Sequence, residues 1–308
     1  FLRDHADLVR AGARKKHIAI DLDALLPLDE EVRTLSHRGD EIRNLQKTRG
    51  KEIAALPAEQ RSAAGAELTQ LKDELRELED RLKDLRPRLN ALHMQVPNVP
   101  AEDVPDGRTD EDNVERRVEG QVPKFDFEPL DHVELGRRLG LIDIERGVKV
   151  AGARNYFLTG DGALLERAVM NLAIDMMVAR GFSLMSVPVL VKYSAMEGTA
   201  YFPGGEEQAY TAEKDDLYLA GPAEVPLTSY HADEILEAAD LPRRLVAWSY
   251  CFRREAGAAG KDTRGVYRIH QFQKVEQVIV GPADPALARQ YHQEIMTNSE
   301  DLLKQLEL

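Results

Sequence analysis

Toward the end of the 308-residue chain, charged side chains recur at alternate positions of two apolar runs, Leu245 to Glu255 and Val266 to Val280. Successive side chains of a strand point to opposite faces, so Cys251, Arg253 and Glu255 share one side while Trp248, Tyr250, Phe252 and Arg254 share the other. In the second run Arg268, His270, Phe272, Lys274 and Glu276 alternate with Tyr267, Ile269, Gln271, Gln273 and Val275. The spacing predicts two antiparallel strands joined by the Gly-rich segment Ala256 to Gly265, which carries Lys261 and Arg264. One face of each strand is then charged inside a domain core, where an unpaired charge is costly. Such a hairpin is built to hold a charged ligand: a planar Arg fork matches phosphate or carboxylate, and an acceptor-only Glu matches amino and hydroxyl groups. A buried ion pair between Arg253 and Glu255 is the structural alternative, and Lys261 and Arg264 also fit solvated loop charges. His270, beside an aromatic residue, reads as structural.

Other elements must position this hairpin. A helix is predicted from Asp161 to Arg180, stopping at Gly181, followed by an apolar strand from Phe182 to Val191. Pro188 lies inside that strand and removes a ladder donor, which favours a sheet edge or a subunit interface. A last helical segment runs from Ala288 to Leu308. Upstream, Val96 to Leu130 holds Pro97, Pro100, Pro105, Pro123 and Pro129 among acidic and polar residues, the chemistry of a linker. The predicted domains are therefore 1–95, a linker over 96–130, and 131–308.

The first domain has a different signature. Leu68, Leu71, Leu75, Leu78, Leu82, Leu85, Leu89 and Leu92 follow an unbroken 3-4 spacing, and Val32, Leu35, Ile42, Ile53 and Leu56 follow the same spacing with gaps. A turn-like Leu56-Pro57-Ala58-Glu59 separates the two patterns. They predict two long helices folded back as an antiparallel coiled-coil hairpin over about residues 29–92, with Pro87 kinking the second near its base. The heptads alone fit a structural hairpin or a dimerisation stalk as well as a binding arm. Arg33, Arg38, Arg43, Lys47, Arg76 and Arg81 are the candidate nucleic-acid contacts. No aromatic residue lies between Asp29 and Leu92, so contact there would be to backbone and shape rather than to stacked bases.

Composition narrows the field. A hydrophobic content of 43% with 31% charged residues is that of a chain with a packed core. The net charge of −13 opposes sequence-blind binding of nucleic acid over the whole surface. Between Asp29 and Leu92, however, 13 Lys and Arg nearly balance 14 Asp and Glu, which leaves that region open to local contact. No run of eighteen apolar residues suggests a membrane span, and no signal segment is visible. The single cysteine, Cys251, excludes an intramolecular disulfide and points to a reducing cytoplasm.

Phe252-Arg253-Arg254-Glu255, the Gly-rich loop, Arg268-Ile269-His270-Gln271-Phe272 and Lys274-Val275-Glu276 together resemble motif 2 of the class II aminoacyl-tRNA synthetases. The version with His-Gln-Phe and Val-Glu is similar to that of the seryl-tRNA synthetase family. The helix ending at Gly181 and the strand with Pro188 resemble motif 1, the family's dimer interface, and the helical hairpin resembles its tRNA-binding arm. The stretch Gly198-Thr199-Ala200-Tyr201-Phe202-Pro203 also fits.

The resemblance implies an α+β fold: an N-terminal antiparallel coiled-coil arm and a catalytic domain on an antiparallel β-sheet flanked by helices. It implies ATP-dependent activation of L-serine to seryl-adenylate and transfer to the 3′ end of tRNA(Ser), with tRNA(Sec) as a further acceptor, in a homodimer formed around Gly181–Pro188. Arg253 would be the catalytic contact to the α-phosphate and the serine carboxylate. Arg254, Glu255, Arg268, Ile269 and Phe272 would complete the ATP site, Glu255 accepting the adenine amino group. Glu276 would hold serine, and Mg²⁺ would accompany ATP because it bridges phosphate oxygens. No metal-binding residues are assigned.

Two departures stand out. The family's Thr-x-Glu segment, part of the amino-acid pocket, reads Pro222-Ala223-Glu224 here, and proline has neither hydroxyl nor N–H. No counterpart of motif 3 precedes Leu308, so the expected catalytic domain holds motifs 1 and 2 only, as in a fragment incomplete at its C-terminus. The competing reading is a synthetase-like paralogue that binds RNA or protein without aminoacylating. A relative that loads a carrier protein should lack the long arm.

Overall fold

The computed structural model describes residues 1–257 and 265–308, with the backbone but not the side chains of 58–64. The chain divides into two compact units, Phe1–Val118 and Glu119–Leu308, and the division falls inside the predicted linker.

In the first unit a short helix α1 (Ala6–Lys15) precedes α2 (Leu22–Ala54) and α3 (Ala58–His93), of 33 and 36 residues. Asp21 caps α2 by accepting from the Ala24 N–H at 2.9 Å. The helices form the hairpin that the heptads imply, about 50 Å long at 1.5 Å per residue, and α3 runs on through Pro87. The hairpin starts earlier than predicted because Leu22, Leu25 and Leu28 continue the apolar stripe of α2 toward the base. Leu28, Val32 and Leu82 form one cluster with Leu35, Leu85, Leu89 and Leu92, while Val9, Leu22 and Leu25 form a second at the base. Two helices bury only one seam, so most heptad leucines stay half-exposed and the few fully buried ones carry the packing. Ion pairs flank the seam: Arg38–Glu74 at 2.7 Å, Arg43–Glu79 at 2.8 Å and Arg81–Glu31 at 2.6 Å.

The second unit begins with α4 (His132–Arg138), β1 (Ile142–Asp143), α5 (Ile144–Ala151) and β2 (Phe157–Leu158), β1 and β2 pairing antiparallel. Helix α6 (Asp161–Ala179) ends at Gly181, whose φ of +85° suits a residue without Cβ. The strand predicted over 182–191 is instead two strands in different sheets, β3 (Ser183–Met185) and β4 (Leu190–Val191), with Pro188 in the break between them. After α7 (Tyr193–Gly198) come β5 (Tyr210–Ala212), β6 (Leu217–Leu219) and α8 (Glu224–Ser229). The chain then forms β7 (Arg243–Phe252), β8 (Gln271–Val280) and α9 (Pro285–Gln305).

The larger sheet has the order β3-β7-β8, with β7 and β8 antiparallel over ten residues each and β3 added parallel at the edge. Both long strands are shorter than predicted. The ladder ends at Phe252 and begins at Gln271, so Arg253, Arg254 and Glu255 lie beyond one strand and Arg268, Ile269 and His270 ahead of the other. Helices α6 and α9 cover one face through Met176, Met177 and Leu302 against Val246, Val275 and Ile279. Helix α8 covers the other through Ala223 and Leu227 against Leu245, Ala247 and Val278. The smaller sheet, β4-β6-β5, packs with α7 around Phe202, Met196 and Val225. Among the described residues no helix is long and apolar enough to cross a membrane.

Leu82 is 5% exposed at the centre of the hairpin seam. Leu82→Ala should destabilise the helical unit by about 2–4 kcal/mol, the range for emptying a buried leucine site, as read by urea denaturation followed by circular dichroism. A loss below about 0.5 kcal/mol would show that the seam is held by its ion pairs.

Candidate active site

Just past the end of the β7–β8 ladder the backbone is fixed from three sides. The Phe252 N–H donates to the Ala220 carbonyl at 3.2 Å, the Arg253 N–H to His270 at 3.0 Å, and the Arg254 N–H to Gln208 at 2.9 Å. The Gln208 side chain holds the next turn twice, donating to the Ala256 carbonyl at 2.7 Å and accepting from its N–H at 3.1 Å. Between these anchors Glu255 has φ +53°, the left-handed region that non-Gly residues seldom occupy and that clusters at functional sites. His270 Nδ1 lies 3.0 Å from the Arg253 carbonyl oxygen, so its ring braces the backbone.

These segments line a cavity of about 400 Å³ with Met196, Tyr201, Gly205 and Gly221 from the smaller sheet's side. Arg253, Glu255 and Arg268 line it directly. The Arg253 guanidinium carbon sits 5.2 Å from the centre of the Phe272 ring, and Arg253 has no ion pair among the described residues. The alternative of a pair with Glu255 is not what forms: Glu255 Oε2 is 3.4 Å from Arg268 Nη1. Phe272 stands opposite Cys251 in the ladder, which places its ring under Arg253 rather than on the cavity wall. Ile269 is buried, and Arg254 turns away to donate to the Glu207 carbonyl at 3.3 Å.

Tyr201 lines the same cavity as Arg253, and the charges of Glu224, Arg253 and Glu276 act on its hydroxyl. Burial first, then the two carboxylates, push the Tyr201 hydroxyl up to about 12 against the opposing effect of Arg253. Glu276 Oε2 lies 2.7 Å from Lys274 Nζ on the same strand face. Pro222 and Ala223 are the other two expected serine contacts. Both are fully buried, and Ala223 packs with Leu227, Leu245 and Ala247 against the larger sheet. Lys261 and Arg264 lie outside the described residues. Tyr201 and Gln208 were missed as individual site residues by sequence reasoning. Only the short Gly198–Pro203 stretch carried a signal for Tyr201.

On the arm, the candidate cations are largely committed. Arg38, Arg43 and Arg81 pair across the hairpin, while Arg33 and Arg76 pair within their own helices with Glu30 at 3.0 Å and Asp73 at 3.5 Å. Hydrogen bonds donated to Glu74 and Glu79 hold the Arg38 and Arg43 guanidinium groups above their ordinary pKa. Lys47 has no partner among the described residues.

The antiparallel hairpin, with Arg253 over Phe272 and Glu255 beside it, is the core of a class II synthetase domain. Residues 208–308 match the family described as the tRNA synthetase class II core domain (G, H, P, S and T), and residues 1–100 match the seryl-tRNA synthetase N-terminal domain. Over its full length the chain is 41% identical to the serine–tRNA ligase of Deinococcus radiodurans and 44% identical to that of Thermobifida fusca, and it covers 72% of each. Its fold matches the crystal structure of seryl-tRNA synthetase from Pyrococcus horikoshii complexed with ATP, with a TM-score of 0.82 and 31% identity, over 99% of this chain and 74% of that one. The cytoplasmic serine–tRNA ligase of Naegleria fowleri in complex with AMP gives a TM-score of 0.78 at 26% identity, over 96% and 68% of the two chains. The chain belongs to the serine–tRNA ligase family.

Cys251, the only cysteine, is fully buried beneath this site, and burial pushes its thiol above the ordinary range. At pH 8 the thiol stays protonated and enclosed. Ellman's reagent should leave the folded protein unmodified over minutes and titrate one thiol after urea is added. Rapid reaction of the folded protein would show that the floor of the site opens.

Proposed function

We propose that the chain activates L-serine with ATP and transfers the seryl group to tRNA(Ser). The observation that carries this reading is Arg253, an arginine with no ion pair among the described residues, held over an aromatic ring beside a cavity that Glu255 and Arg268 also line. In the first step a serine carboxylate oxygen attacks the α-phosphorus, the P–O bond to the β-phosphate breaks, and pyrophosphate leaves with its electron pair. Negative charge that grows on the transferred phosphoryl oxygens meets the Arg253 fork, whose donors are already in place. Glu255 accepts the adenine amino group, Arg268 draws the terminal phosphates, and Phe272 serves by holding Arg253. Glu224 and Glu276 receive the serine ammonium, and Glu276 also reaches its hydroxyl. Arg254 and Ile269 act through the backbone that they shape.

Among the described residues no three His, Cys, Asp or Glu side chains form a group that could hold a metal ion, so Mg²⁺ belongs in this reading to the nucleotide that carries it. In the second step a ribose hydroxyl of the tRNA 3′ end attacks the seryl carbonyl carbon and AMP leaves. The arm meets tRNA through shape and backbone, with Lys47 a cation that has no carboxylate partner among the described residues and the paired arginines serving the hairpin. A homodimer is supported by the apolar side chains exposed along α6 and β3, with Leu164 at 65%, Leu165 at 62% and Leu184 at 53% exposure. The reading places the protein in the cytoplasm, where the tRNA is charged.

Serine-dependent exchange of pyrophosphate into ATP tests the reading. The protein should support exchange with L-serine and not with L-alanine, and Arg253→Ala should lower the rate by about 10²–10³-fold, the size of losing one donor aimed at developing charge. No exchange with any amino acid, with ATP still bound, would favour the non-aminoacylating paralogue. A rate within threefold of the parent would make Arg253 structural.

A further inference from the structure

Arg268 reaches the cavity from outside the ladder, since β8 begins only at Gln271. Among the described residues no strand pairing fixes the backbone that carries it, and the adjacent Tyr267 is 76% exposed. Three hydrogen bonds hold this segment instead. The Val266 N–H donates to His132 Nε2 at 3.1 Å, Arg154 Nη1 donates to the Arg268 carbonyl at 3.0 Å, and the His270 N–H donates to the Arg154 carbonyl at 3.3 Å.

Both grips come from one small substructure. His132 is the first residue of α4, and Arg154, at φ +61°, lies in the turn between α5 and β2. Gly136 of α4 sits so close to β1 that a Cβ there would stand 2.7 Å from Ile142 Cδ1, and Ile142 pairs with Leu158 of β2. The fit at His132 is close. Its ring meets Tyr267 edge to face with centroids 4.5 Å apart, and Gly265, at φ +90°, lies where a Cβ would collide with His132 Nε2. Because Nε2 accepts, the neutral ring carries its proton on Nδ1. Residues 132 and 154 fall outside both segments that match a family, 1–100 and 208–308.

We propose that His132 is a positioning residue for ATP: by accepting the Val266 N–H it sets where Arg268 enters the cavity, while Arg154 holds the far side of Arg268. The inference rests on the reading of Arg268 as a contact to the terminal phosphates and adds to it the residue that aims this side chain. Ordering a loose backbone on binding would subtract from affinity, whereas a backbone already held on both sides avoids that cost.

His132→Leu removes the acceptor, and His132→Gln replaces it with an amide oxygen. In serine-dependent pyrophosphate exchange the leucine variant should raise the apparent KM for ATP about fivefold, the size of one ordinary hydrogen bond, with the serine KM within twofold of the parent. The glutamine variant should recover most of that loss. Gly265→Ala acts on the same contact from the facing segment and leaves α4 untouched. It should raise the ATP KM at least as much, and it decides the case if His132→Leu does not fold. An ATP KM within twofold of the parent in either folded variant overturns the inference, and so does a serine KM that rises in parallel, since His132 would then support the whole domain. A glutamine variant no better than leucine overturns it too, because packing rather than the acceptor would matter. A parent protein without serine-dependent exchange overturns the reading of the site itself. An active parent whose ATP KM ignores these changes overturns the inference alone.

Discussion

The register of β7 against β8 is the constraint on which the site depends. Cys251 opposite Phe272 and Phe252 opposite Gln271 end the ladder at a point where Arg253 must leave the sheet directly above an aromatic ring. A slip of one residue would turn Phe272 to the face covered by α6 and carry Lys274 and Glu276 with it, away from Tyr201. The register is enforced by burial on both faces, with Leu245 and Ala247 under α8 and Val246 under α6 and α9.

The smaller sheet supplies what the hairpin lacks. Gln208, just ahead of β5, locks Ala256 with two hydrogen bonds, and the Ala220 carbonyl, just past β6, receives the Phe252 N–H. Glu255 is held in a left-handed conformation between these points, at a cost of order 1–3 kcal/mol that surrounding contacts must offset. The cavity is the gap between a rigid ladder and this bracing sheet, which explains why its charged residues sit on short segments anchored at both ends.

Much of this was legible in the residues. The leucine spacing of α3 marks one apolar seam that needs a facing helix, the turn-like segment at Pro57 supplies the fold-back, and the charges at alternate positions near Arg253 and Glu276 name the hairpin strands. Strand ends were overrun by three residues at Glu255 and five at Val266, since alternation persists in the sequence after the ladder hydrogen bonds stop. Pro188 marked a break that the apolar run from 182 to 191 concealed. The burial of Pro222 and Ala223 follows from tertiary packing around α8, which no local pattern encodes. The individual roles of Tyr201 and Gln208 depend on contacts between segments far apart in the chain, as do the ion pairs of Arg38, Arg43 and Arg81 with carboxylates of the facing helix.

The central claim is that Phe272 acts on the nucleotide through Arg253. A double-mutant cycle on ATP affinity tests it, with Arg253→Gln, Phe272→Leu and the double variant measured by isothermal titration calorimetry. The account predicts a coupling of about 1 kcal/mol between the two positions, the size of a partly exposed cation–π contact. Additive losses, with a coupling below about 0.3 kcal/mol, would show that ring and guanidinium serve ATP independently and would contradict it.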